Sequence, residues 1–178
     1  MHKSFIVENF AFRLGEYHPG HSIQIGVGNT DADILVVQSR QKMPDRDAVT
    51  GALKNFGMLG DAFRATIEIV DSLDAKKNRA YLLELIEMIR PLVVVACGPE
   101  VTSLLAGRNI RSFSAHTGKR FSVKDLTSPT FCAILDPVEY GFARAPRALK
   151  DQGKEEWTKV AKLYNSLKDK REQERWAC

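Results

Sequence analysis

Arg90-Pro91-Leu92-Val93-Val94-Val95-Ala96-Cys97-Gly98-Pro99-Glu100-Val101-Thr102-Ser103-Leu104-Leu105-Ala106-Gly107 is the stretch on which the fold turns. Pro91 carries no amide donor and biases Arg90 away from the α region, so it closes whatever precedes it. Leu92 to Ala96 is an unbroken, valine-rich apolar run, the pattern of a strand covered on both faces. Gly98 turns the chain, Pro99 suits the first position of a helix, and Glu100 complements that helix's dipole. Leu104, Leu105 and Ala106 supply an apolar helix face that Gly107 ends. This is one strand-turn-helix step of a parallel α/β sheet.

Working back from it, residues 79–89 predict a helix, with Leu82, Leu85, Ile86 and Ile89 at helical spacing. Ala65 to Val70 predicts a strand on which Thr66, Glu68 and Val70 share one face and Ile67 and Ile69 the other. Glu68 there is either on a solvated face or points into a polar site. Ile34 to Val37 predicts another buried strand, followed by the polar loop from Gln38 to Asp47. Ligands of open α/β sheets bind beyond the carboxyl ends of strands, so this is either a site loop or an ordinary solvated connection. Asp47 is a candidate N-cap for a helix through Val49, Leu53 and Phe56. Further back, Ile23, Ile25 and Val27 alternate as a short strand or hairpin arm. Phe5, Ile6, Phe10, Phe12 and Leu14 form an arm or short helix on the body. His18 and His21 have no third ligand nearby and read as a turn.

Working forward, Asn109 to Phe121 is polar and basic. Thr117, Gly118, Lys119 and Arg120 suit a phosphate through backbone amides and cations, or else form a solvated hairpin. His116 is either a surface residue or a general acid. Thr130 to Leu135 is the last buried strand and runs into Asp136, Pro137, Tyr140, Arg144, Pro146 and Arg147, a loop suited to wedge into and grip a nucleic-acid strand. Trp157, Val160, Ala161, Tyr164 and Leu167 stripe a long C-terminal helix whose charged end, 168–178, reads as a solvated tail.

The expected architecture is α/β: three layers, α/β/α, around a central, mostly parallel, four-stranded sheet. The 178 residues suffice for one domain, with 1–30 as an N-terminal arm. Cys97, Cys132 and Cys178 are far apart and make no zinc or disulfide pattern, and Cys97 reads as a packing residue. A net charge of +4 fits a polyanion partner without requiring one. The first residues lack the apolar core of a signal peptide and no run reaches membrane-spanning length, so the expectation is a cytoplasmic monomer with no membrane partner, no metal and no cofactor.

Taken together, three stretches resemble the uracil-DNA glycosylase superfamily, closest to its compact bacterial and phage members. They are Ile86 to Gly107, Thr117 to Phe121, and Pro129 to Arg144 with the Trp157 helix; the likeness spans roughly residues 30–168. The resemblance implies a glycosylase-like fold and double-stranded DNA with a flipped base as partner. The sequence departs from the family at its reactive points. The glycine and acid of the first motif are absent from Gln38 to Lys42. The base-reading asparagine is absent near Glu68 and Ile69, Asp136 stands for the histidine of the last motif, and the cysteines of an iron–sulfur cluster are missing.

A glycosylase extrudes its base, reads the Watson–Crick edge, and stabilises a sugar with oxocarbenium character while water attacks. The candidate catalytic carboxylates are Asp45 and Asp136. The candidate base contacts are Gln38, Ser39, Arg40, Gln41, Glu68 and Asp71, and the candidate DNA contacts are Thr117, Gly118, Lys119, Arg120, Tyr140, Arg144 and Arg147. A carboxylate in place of asparagine accepts from cytosine's amino group and repels uracil's carbonyl. The chain thereby resembles the bacterial antiphage glycosylases that excise glucosylated hydroxymethylcytosine and leave an abasic site. Two other readings stand beside it: a catalytically silent glycosylase fold that binds DNA or protein, and a small α/β enzyme acting on free nucleotides. The catalytic reading expects Asp45, Glu68 and Asp136 to converge on one pocket.

Overall fold

A computed structural model describes residues 3–39, 48–124, 126–141 and 143–176. Their helices are α1 (Lys3–Tyr17), α2 (Ala48–Asn55), α3 (Ala75–Ile89), α4 (Gly98–Ala106), α5 (Pro137–Tyr140) and α6 (Arg147–Trp176). Their strands are β1 (Val27–Gly28), β2 (Ile34–Gln38), β3 (Ala62–Thr66), β4 (Val93–Cys97), β5 (Lys119–Val123) and β6 (Leu126–Ile134).

The strands form one sheet in the order β1-β3-β2-β4-β6-β5. β3, β2, β4 and β6 run parallel, while β1 and β5 pair antiparallel at the two edges. The expected parallel core is therefore present, but the sheet has six strands rather than four. The two additions escape a hydrophobic-run reading for physical reasons. β1 is two exposed residues, and β5 (Lys-Arg-Phe-Ser-Val) is an edge strand buried only at its end.

Both faces of the sheet are covered. Leu35, Val37, Val94, Ala96 and Phe131 face α1, α3 and α4, and Ile34, Val36, Val93, Val95, Cys97 and Ile134 face α2 and α6. This alternation explains why β2 and β4 are apolar at nearly every position. α3 begins a turn earlier than its apolar periodicity suggests, because Asp74 caps it by accepting from the Lys77 amide at 2.9 Å. It ends at Arg90, in the left-handed region at φ 52°, just before Pro91. α1 docks on α3 through Phe10 against the edge of Tyr81 and through Lys3 Nζ donating to Ile89 O at 2.8 Å.

The third strand differs from its expected position. The ladder stops at Thr66, and residues 67–70 leave it, although Ile67 N still donates to Gln38 O. The buried Asn78 explains the change. Its carboxamide accepts from Val70 N and donates to Val70 O, occupying groups a neighbouring strand would otherwise take. Glu68 is thus in a connection beyond the strand, not within it.

α6 is helical to Trp176 as expected, but its charged end does more than face solvent. Arg171 forms a two-pronged ion pair with Asp33, both bonds 2.6 Å, and Lys168 reaches Asp61 at 3.4 Å. Arg171→Met keeps the apolar stem and leaves Asp33 without its cation. It is expected to lower stability by about 1–3 kcal/mol, discounted for partial exposure. Urea unfolding checks this: the midpoint falls at unchanged slope, whereas an unchanged midpoint assigns the pair no role.

Candidate active site at the carboxyl end of the sheet

The strand order reverses between β2 and β4: the chain steps from β2 out to β3, then returns to place β4 on the other side. A crevice at the carboxyl ends of such strands is where open α/β sheets bind ligands. Three of these ends meet here. Ser39 follows β2, Gly98 follows β4, and Asp136 follows β6. Ser39 Oγ donates to Asp136 Oδ2 at 3.5 Å, and Asp136 Oδ1 accepts from Val138 N at 3.0 Å, capping α5. Gly98 has φ +89°, and a Cβ there would lie 3.3 Å from the Asp136 Cβ. Glycine is what allows α4 to begin against the carboxylate, which in turn sits at the helix's electropositive end.

Beneath this corner is a buried acid that the sequence did not single out. Glu156, 3% exposed, accepts from Leu135 N at 2.6 Å and from Gln152 Nε2 at 3.0 Å. Its signal was present: it adjoins Trp157 within the apolar stripe of α6. Cys97 lies in the same region, fully buried. Burial pushes its thiol well above the ordinary value, and the charges of Asp136 and Glu156 push it further. Cys97 packs, as expected, and is no nucleophile.

Tyr140 is turned inward. Its hydroxyl accepts from Trp157 Nε1 at 2.8 Å, and its ring lies so close to Gly153 that a Cβ there would come within 2.6 Å. Burial foremost pushes its phenol well above the usual range. The ring bolts α5 onto α6. Thr117 Oγ1 donates to Ser114 O, and the Gly118 amide donates to Ala133 O at 2.7 Å, so that amide belongs to the sheet margin and not to a phosphate cradle. Lys119 and Arg120 are exposed. Because Lys119 pairs with Ala133, near the carboxyl end of β6, both cations stand on the rim that carries Asp136. Arg144 and Arg147 are exposed on the chain that continues from α5. His116 Nδ1 pairs with Ser112 O, and its carbonyl accepts from Lys119 N at 3.1 Å where β5 begins.

Arg40, Gln41, Asp45 and Asp47 lie outside the described residues. Of the remaining base-contact candidates, Gln38 is 5% exposed at the end of β2. Glu68 lines a different space, a cleft of about 840 Å³ between α3 and α4 whose lining also includes Arg79, Glu100 and Ser103 but not Asp136. β3 stands three strand spacings from β6, about 14 Å across the sheet. Glu68 and Asp136 therefore do not converge on one pocket, which corrects that expectation. Asp71 is tied to the N-terminal segment: its amide donates to Ser22 O and its carbonyl pairs with His21 Nδ1. Among the described residues no group of three or more metal-ligating side chains gathers, and no helix is long and apolar enough to cross a membrane.

No protein-family model matches the chain, and no curated protein matches its sequence. The chemistry of the corner follows from its own atoms: one carboxylate, held by a hydroxyl and an amide at a helix start, with Lys119 and Arg120 on the neighbouring edge strand. Cys97 and Cys132 are both buried, with thiols raised above their ordinary value. Mass mapping after iodoacetamide treatment at pH 8 is expected to find both unmodified in the native protein and modified in denaturant. Rapid native labelling of Cys97 contradicts this description of the corner.

Proposed function

We propose that the chain is a DNA glycosylase that everts a modified cytosine and hydrolyses its N-glycosidic bond, leaving an abasic site. The observation that carries this is the placement of Asp136 beside the strand-order reversal, buttressed by Ser39, with Lys119 and Arg120 on the neighbouring edge strand and Arg144 and Arg147 exposed farther along the chain after α5. The cations suit phosphates flanking an everted nucleotide and give binding that weakens with salt. Asp136 is suited to orient a water and balance cationic character at the sugar. In that step the C1′–N bond breaks with its electrons to the base, a C1′–O bond forms from water, and the water's proton is released. Gln38 and Ser39 are the described candidates for contact with the base; Glu68, lining a separate cleft, is not assigned to it. The substrate class, glucosylated hydroxymethylcytosine in invading DNA, comes from the family resemblance, as do the expectations of a cytoplasmic monomer and an antiphage role.

A specific observation favours the second reading, an inert DNA- or protein-binding module: Asp136 Oδ1 already serves as the cap of α5, a structural reason for an aspartate at that position. One assay separates the two. Duplexes carrying uracil, hydroxymethylcytosine or its glucosylated form are incubated with the protein and then cleaved at abasic sites. Cleavage of a cytosine-derivative duplex is expected, with Asp136→Asn reducing it about 10²- to 10⁴-fold. Release from the uracil duplex alone sinks the specificity. No release from any duplex, together with salt-dependent DNA affinity, establishes the inert module instead.

A further inference from the structure

The outer face of α1 is apolar where a surface helix is ordinarily polar. Val7, Phe10 and Leu14 turn into the core. Phe5 and Phe12 each stand two residues ahead of a core position, about 200° round the helix, and are 52% and 70% exposed. Ile6, Asn9, Phe10 and Arg13 follow the i, i+3, i+4, i+7 spacing, and with Met88 of α3 they line a cavity of about 240 Å³. Residues so spaced are the four corners between which a facing helix inserts a side chain. Asn9, a corner of the hole, is four residues from Phe5 and three from Phe12, so α1 carries two projecting rings beside a hole at the groove it shares with α3.

The charges of α1 are sorted between its two sides. Its cations, Lys3 and Arg13, are engaged by the body: Lys3 Nζ donates to Ile89 O and reaches Asp31 at 3.9 Å, and Arg13 pairs with Glu84 on α3. Its acids, Glu8 and Glu16, stand four residues before and after Phe12 on the same exposed face, and make no ion pair among the described residues. On a chain of net charge +4 this is a local acidic field around two aromatic rings. It repels an anionic lipid surface, and a second copy laid face to face sets Glu8 and Glu16 against carboxylates. We propose that the α1–α3 groove is a docking surface for the amphipathic helix of a partner protein. That helix places an apolar side chain in the cavity, packs on Phe5 and Phe12, and sets Lys or Arg beside Glu8 and Glu16. The surface is independent of the corner at Asp136 and of the activity proposed for it.

The test uses the full chain and two fluorescein-labelled helical peptides of about 18 residues that share one leucine stripe, flanked by lysines in one and by glutamates in the other. Fluorescence anisotropy is expected to show the lysine peptide binding about tenfold more tightly than the glutamate peptide, a difference that shrinks as salt rises. Phe12→Ser is expected to weaken the lysine peptide about tenfold, and the double variant Glu8→Gln, Glu16→Gln about fivefold. All three side chains are exposed, so these variants leave the core intact. Equal affinity for both peptides, binding of neither, or an affinity for the lysine peptide unchanged in both variants overturns the docking surface. Flotation with phosphatidylcholine–phosphatidylglycerol vesicles and sedimentation equilibrium are run in parallel on the wild type and Phe12→Ser. Vesicle binding or a dimer that is lost in Phe12→Ser gives the face to a membrane or to a second copy, and equally overturns the proposal.

Discussion

Asp33 fixes the level at which the sheet begins, and the rest of the structure depends on that level. Its amide donates to Asp61 O just before β3, and its carbonyl accepts from Leu92 N and Val93 N at the start of β4. Its carboxylate is clasped by Arg171 from α6. β2, β3 and β4 are each five residues long, so strands aligned at their amino ends are also aligned at their carboxyl ends. That is why Ser39 and Gly98 arrive at the same height, and why β6, paired residue for residue with β4, delivers Asp136 beside them. A contact at one end of the sheet sets the geometry at the other.

The carboxyl end is also where the polar chemistry is concentrated. A hydroxyl, a carboxylate and a helix start meet at the strand-order reversal, and β5, running antiparallel, returns Lys119 and Arg120 to the same edge. Behind it the molecule is braced by contacts of a different kind: the Trp157–Tyr140 hydrogen bond and the Glu156 carboxylate on Leu135 N, which hold α6 under the residue preceding Asp136. Such bracing fixes the strand end that carries Asp136, as the proposed water-orienting role would require.

The parallel core was legible because strands buried on both faces read as continuous apolar runs, as Val93 to Ala96 do. The edge strands were legible only in part: the alternation of Ile23, Ile25 and Val27 suggested a short strand or hairpin arm, of which β1 takes only Val27, and β5 presents mostly solvated residues. The error at Glu68 has a definite cause. Thr66 to Val70 keeps alternating beyond the end of the ladder, and only the side chain of Asn78, eight residues later, reveals that the chain has left it. Asp136 was legible as an acid after a buried strand, but its contact with Ser39, 97 positions away, needed the register of three strands. Glu156 was overlooked because its neighbours are apolar, although a charge within an apolar stripe was itself the clue. Gln38 was read as part of a loop, whereas its pairing with Thr66 belongs to the sheet.

The central claim is that nucleic acid engages the carboxyl-end rim. Amide chemical shifts of the full chain, followed during titration with a duplex containing an abasic-site analogue, test it most directly. The account predicts changes concentrated at Ser39, Gly98, Lys119, Arg120, Asp136 and Arg144, with residues near Asp33 undisturbed. Changes confined to α1 or to the α3–α4 cleft, or none at millimolar DNA, contradict it.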